Sequence, residues 1–221
     1  MVFRRPASPP SLIVASQPSE LRAELEAGIR ATYAAAYGAT IRHCLPLLLG
    51  LRDESGALLG VIGAQPGSDP GPMFLETYLD RPAEEVLAAA VGGPVRRQVL
   101  AEVGNLSALQ PGAGLMLVST LAAYFDGSGS RWAIFTATES LRGTFLRRGL
   151  ELVDLGPADG RRLGDALVDW GRYYQTAPRV TAALIGNLRA RFAADQRLAT
   201  QCGAVWEEAF RRGRLDARDA A

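Results

Sequence analysis

Apolar residues recur along the chain with two different periods. Over residues 20–37 Leu21, Leu25, Ile29 and Tyr33 fall four apart, which places them on one face of a helix. Ser16 or Ser19 is positioned to cap it, Glu20 and Glu24 lie near its positive end, and Gly38 marks its stop. A short strand is expected before it, at 12–15. Two apolar runs, 46–52 and 57–64, are joined by Asp53-Glu54-Ser55-Gly56 and predict an antiparallel hairpin. After the Pro/Gly loop at 65–72, FLETYLD (74–80) is expected to be extended, and Pro82 to set the first turn of a helix with Glu84 and Glu85 near its start.

The second half opens on a strand over 95–103, ending at Gly104-Asn105, and an apolar helix over 113–125. Residues 132–137 (WAIFTA) are apolar, β-branched or aromatic throughout and predict a strand. A helix over 141–148 with Leu141, Phe145 and Leu146 inward and a strand over 150–155 follow. From Gly156 onward the pattern is nearly all helical, up to a charged tail (RRGRLDARDAA) expected to fray. The expected organisation is a disordered Pro- and Arg-rich tail at 1–10, a domain over 11–160, and a helical extension at 161–221 packed on it.

Composition narrows the chemistry. The chain has 221 residues and a net charge of +1, with basic and acidic residues interspersed, so neither a nucleic-acid footprint nor a polybasic membrane patch is indicated. All 24 basic residues are Arg, which excludes a Schiff-base lysine and a P-loop. One histidine (His43) and two cysteines (Cys44, Cys202) are too few for a familiar zinc site or disulfide framework, so no metal is expected, and a reducing cytoplasm fits. The four-residue apolar run near the start is too short for a signal peptide. Nothing in the sequence indicates an oligomeric state.

The element order, with a glycine turn between a central strand and a helix, resembles the GNAT acyltransferase fold and the related acyl-homoserine-lactone synthases. More specifically, ATYAAAYGA (31–39), FLETYLD (74–80), EVGNL (102–106), WAIFTAT (132–138) and WGRYYQTAPRV (170–180) together resemble the thermostable hemolysin family. The resemblance implies an α/β (α+β) fold: a mixed, mostly antiparallel sheet flanked by helices, with a helical C-terminal extension. It also implies an acyl donor, coenzyme A or acyl carrier protein, and a small amine acceptor.

Such chemistry needs backbone donors for phosphates at a helix N-terminus and a base at the strand end. Gln110, Gly112, Ala113 and Gly114 stand where a phosphate cradle belongs; a plain loop-to-helix turn is the alternative, Pro111 removes a donor, and the glycine spacing is one residue short of the GNAT pattern. Glu102 is a candidate base, or a structural carboxylate bonded to Arg97 or to loop amides. Asn105 donates to a carbonyl or closes the turn. Glu76 and Tyr78, two apart on an extended segment, would share a face toward an acceptor pocket, or be a buried Tyr and an Arg-paired Glu.

Phe145 occupies the position of the GNAT proton donor without a proton to give, leaving Tyr78, Tyr173 or water. His43 and Cys44 are adjacent, so on an extended chain they point apart and His43 is read as a pocket residue. Trp170, Tyr173 and Tyr174 form either an aromatic wall or core. The leading expectation is an N-acyltransferase. The alternatives are a lytic protein whose amphipathic C-terminal helices lie on a membrane surface, and a degenerate acyl-CoA-binding module.

Overall fold

In the computed structural model, which describes residues 9–219, the chain forms seven strands and six α-helices among those residues. The strands are β1 (Ser11–Ala15), β2 (Leu47–Arg52), β3 (Leu58–Pro66), β4 (Leu100–Ala108), β5 (Trp132–Ala137), β6 (Val153–Pro157) and β7 (Arg179–Leu184). They make one sheet in the order β1-β2-β3-β4-β5-β7-β6. Every neighbouring pair is antiparallel except β4 and β5, which are parallel and joined by α3 (Ala113–Ser128). Most of the expected tail at 1–10 lies outside the described residues.

Strand alternation sends side chains to two layers. Leu47, Leu49 and Leu51 of β2 join a core with α3, α5 (Ile185–Ala194) and α6 (Gln196–Asp219), whereas Leu48 packs under α1 (Glu20–Tyr37) with Leu25 and Ile29. Leu25 and Ile29 are fully buried, worth roughly 1.5–3 kcal/mol each. The helix begins where the Ser19 side chain accepts from Arg22 N–H and ends at Gly38, as the sequence indicates. Leu100 and Ile134 face the α1 side, in a core shared with α2 (Ala83–Val91) and the short 3-10 helix Phe74–Tyr78.

Several expectations are corrected. FLETYLD is not extended: its first five residues form that 3-10 helix, because the Glu76 carboxylate turns back to accept from Met73 N–H. The strand expected at 95–103 begins later, after a 3-10 turn at Arg97–Val99, and runs through Gly104-Asn105 to Ala108. Residues 161–221 are not all helical, since β7 lies inside the sheet between β5 and β6. The last strand of the first stretch is shifted to Val153–Pro157, and Leu146 of α4 (Glu139–Arg147) is 58% exposed rather than inward. The charged tail is helical as far as the described residues go, since α6 runs to Asp219.

Two glycines seat α6 on α3. A methyl group at Gly213 would stand 2.0 Å from the Tyr124 carbonyl oxygen, and one at Gly127 would stand 2.1 Å from that of Phe210. The helices therefore touch backbone to backbone there, which any larger residue forbids. On either side of the contact Tyr124 donates to Asp216, and Trp206 Nε1 donates to Ser119.

Candidate active site

β4 and β5 pair only from Leu100↔Trp132 to Val103↔Phe135, although both strands continue, so the sheet splits beyond that point. A bulge on the other edge of β4 helps to turn it away. Opposite β3, the register jumps from Gly63↔Gly104 to Val61↔Ser107, so Asn105 and Leu106 together face Ile62. Asn105 takes φ 51, a left-handed conformation that Asn tolerates better than most residues. Its Oδ1 accepts from Leu45 N–H at 2.8 Å, pinning the segment 40–45 across the bulge.

Two cavities meet at this split. The first, of about 370 Å³, lies on the α3 side and is walled mainly by apolar groups from α3, α4 and α5, including Leu121, Phe125, Phe145 and Leu188. The second, of about 360 Å³, lies on the α1 side between segment 40–45, the 3-10 helix at 74–78 and residues 163–173. Tyr33, Val103, Gly104, Thr136 and Tyr173 line both. A bond made at the split therefore has one reactant on each side of the sheet.

Glu102 lines the second cavity and is only 4% exposed. It shares a strand face with Leu100, two residues back, and its oxygens accept from Phe74 N–H (2.7 Å) and Leu75 N–H (3.0 Å) at the start of the 3-10 helix. Burial pushes its pKa up to about 7; the two amide bonds oppose the rise without cancelling it. The carboxyl is thus fixed in place and titrates well above the usual carboxylate range.

Glu76 does not line either cavity. Its oxygens accept from Met73 N–H, from Ala83 N–H and from both Nη atoms of Arg97, at 2.7–3.0 Å. Burial works to raise this carboxyl, but Arg97 and the two amides outweigh it and hold it below the usual range. Glu76 and Tyr78 therefore do not share a face toward the acceptor. Tyr78 does line the second cavity, with its hydroxyl bonded to that of Tyr174.

The four residues expected to cradle phosphate, Gln110, Gly112, Ala113 and Gly114, lie together at the start of α3 but line neither cavity. Gly112 has φ 87, no side chain caps the helix, and Gln110 and Gly112 are exposed. Ala113 N–H is already given to the Gln110 carbonyl, so that amide is not free for a ligand.

Phe145 is buried edge-to-face against Phe135 in the first cavity. His43 and Cys44 both line the second cavity, and burial raises the Cys44 thiol. Trp170 and Tyr173 belong to a ring cluster with Tyr33, Phe74 and Tyr174, so the aromatic wall and the core are the same object. Sequence reading missed Tyr33. It looks like one more member of the α1 core stripe, and only the split shows that it stands between two cavities. Burial raises the hydroxyl pKa of Tyr33 and of Tyr173, so both stay protonated at neutral pH.

A split mixed sheet of this order, flanked by helices, is a GNAT-like fold. The N-acyl amino acid synthase FeeM from uncultured soil microbes is similar at 16% identity and TM-score 0.54, covering 85% of this chain and 98% of that one. The acyl-homoserine-lactone synthase LasI is similar at 12% identity and TM-score 0.52, covering 80% and 91%. The CoA-dependent acyl-homoserine lactone synthase BjaI, solved with SAM and isopentyl-CoA, is similar at 13% identity and TM-score 0.51, covering 92% and 99%. No curated protein sequence matches the chain. The family model for thermostable hemolysin matches residues 15–188, and the chain belongs to that family.

Proposed function

We propose that the protein is an N-acyltransferase that moves an acyl group from a thioester, on coenzyme A or acyl carrier protein, to a small amine. The observation that carries this reading is the meeting of two cavities at the β4/β5 split, with a fixed, buried carboxylate on one side. The apolar cavity under α3 suits the acyl chain, and the exposed, uncapped start of α3 suits the donor's phosphate through amides other than that of Ala113, which Gln110 already holds. The β4 edge freed beyond Val103 offers backbone donors to a thioester carbonyl.

In this reading the acceptor arrives as an ammonium and gives one proton to Glu102. Its nitrogen then forms a bond to the thioester carbonyl carbon. As the C–S bond breaks, its electron pair stays on sulfur and the second N–H proton leaves. The thiolate takes up a proton, for which Tyr33 and Tyr173 stand at the split where the family position, Phe145, has none. Thioester and ammonium become amide, thiol and one released proton. Asn105 holds the bulge through Leu45, and Tyr78 lines the acceptor side.

The lytic alternative is disfavoured by where the C-terminal apolar residues go. Leu188, Phe192, Leu198, Val205 and Trp206 are all buried in the α3 core. Among the described residues no helix is long and apolar enough to cross a membrane. The test is to incubate the purified chain with acyl-CoA or acyl carrier protein and a mixture of amines, following thiol release and amide mass. Amide that disappears with Glu102→Gln supports the proposal; lysis of liposomes by the protein with no thioester present overturns it.

A further inference from the structure

The acceptor side of the split carries more chemistry than a generic amine requires. Tyr33, Phe74, Tyr78, Trp170 and Tyr173 all line the second cavity. Phe74 stacks on Trp170 with ring centroids 5.6 Å apart, and Trp170 meets Tyr173 at 5.3 Å. Such rings pack against a flat apolar body and attract a cation over their faces.

The charges around the same cavity argue against an acidic ligand. Glu102 and Asp169 both line it, and the one guanidinium among its lining residues is that of Arg42. Asp169 already holds that guanidinium through two hydrogen bonds, at 2.5 and 2.8 Å. Arg42 is also 65% exposed, so solvent screens what charge remains. Because Asp169 and Arg42 neutralise each other, the acidic lining group not held by a guanidinium is Glu102; an acceptor carboxylate would meet that like charge, whereas an ammonium meets the carboxylate and the ring faces.

Resting on the acyl-transfer reading above, we infer that the acceptor is a primary amine with an aromatic or bulky apolar body and no carboxylate, an arylalkylamine rather than a free amino acid. The ring body packs on the surface that Phe74, Trp170 and Tyr173 together present to the cavity, and the ammonium end faces Glu102. Removal of the carboxylate from an otherwise identical acceptor then improves the substrate.

The experiment compares phenethylamine with phenylalanine, and tyramine with tyrosine, as acceptors for the purified full chain, with acyl-CoA and acyl carrier protein donors in separate arms and amide measured by mass spectrometry. The expected result is a kcat/KM for each amine at least about tenfold above that of its amino acid, the scale of one like-charge contact between the acceptor carboxylate and Glu102. Phe74→Leu, at a 41% exposed position that tolerates the change, is expected to raise KM for phenethylamine with little change in kcat. Preference for phenylalanine, lost on Arg42→Ala, overturns the inference in favour of an amino acid. Amide from glycine but not from phenethylamine also overturns it and leaves acyl transfer standing. Amide from no amine with either donor removes the acyl-transfer reading itself.

Discussion

The backbone N–H of Phe74 donates to Glu102 Oε2 at 2.7 Å, so the residue that clamps the candidate base is also one that walls the second cavity. Base and wall are therefore positioned by one short helix. Its geometry depends in turn on Glu76 and Arg97, which touch neither cavity.

Replacing Glu102 by Gln removes the proton acceptor while keeping the shape. The expected loss is about 10²-fold or more in kcat, with a stability loss of about 1–3 kcal/mol because the amide nitrogen cannot accept from one of the Phe74 and Leu75 N–H groups. Thiol release under saturating donor and acceptor measures it. Unchanged turnover would show that this carboxylate is structural.

The pKa of about 7 gives the pH dependence a definite sign. A base must be deprotonated to act, so kcat/KM is expected to rise with pH to a plateau above about 7, falling about tenfold per unit well below it. Stability runs the other way. The folded pKa lies above the ordinary 4.5, so the native state holds the extra proton between those values and Glu102 stabilises less as pH rises through that window. Urea midpoints of wild type against Glu102→Gln across the same range check the second half.

Arg97→Ala leaves the Glu76 carboxylate without its cation, at a side chain only 14% exposed. A loss of about 1–3 kcal/mol in stability is expected, together with a raised acceptor KM as the 74–78 helix loosens. Arg97→Lys, which cannot make the two-pronged contact, should fall between. Calorimetry and steady-state rates read the two effects separately.

Gly213→Ala forces α6 off α3 and is expected to cost about 1–3 kcal/mol. Gly203→Ala, on the same helix with nothing within 4 Å, serves as the control and is expected to stabilise by up to about 1 kcal/mol. Thermal melts of the two variants should shift in opposite directions.

Much of this was legible in the sequence where local pattern and tertiary packing agree. β5 matches its expected span because four of its six residues (Trp132, Ile134, Phe135 and Thr136) favour a strand, and α1 because Ser19 and Gly38 both cap it. β7 (RVTAAL) was hidden: three of its six residues are Ala or Leu, and it is a strand because β5 and β6 pair with it on both edges. FLETYLD misled for a similar reason, since its turn is imposed by Glu76 reaching Met73 and Arg97, one partner local and one distant. Glu102 and Asn105 were visible as polar residues at a strand end. That Asn105 continues the strand through a bulge, and that Tyr33 stands at the split, depends on pairing with β3 and on the divergence of β4 from β5.

The glycine crossing of α3 and α6 bears on how the chain is made. Much of the apolar surface of α3 is covered by α6, which follows it in the chain after β5, α4, β6, β7 and α5 and whose seat is fixed at Gly213. During synthesis that surface stays bare until α6 has emerged, so this part of the core cannot close before then. Production without α6 should give aggregated material rather than a smaller folded protein, and chaperone capacity, more than codon supply, should limit yield.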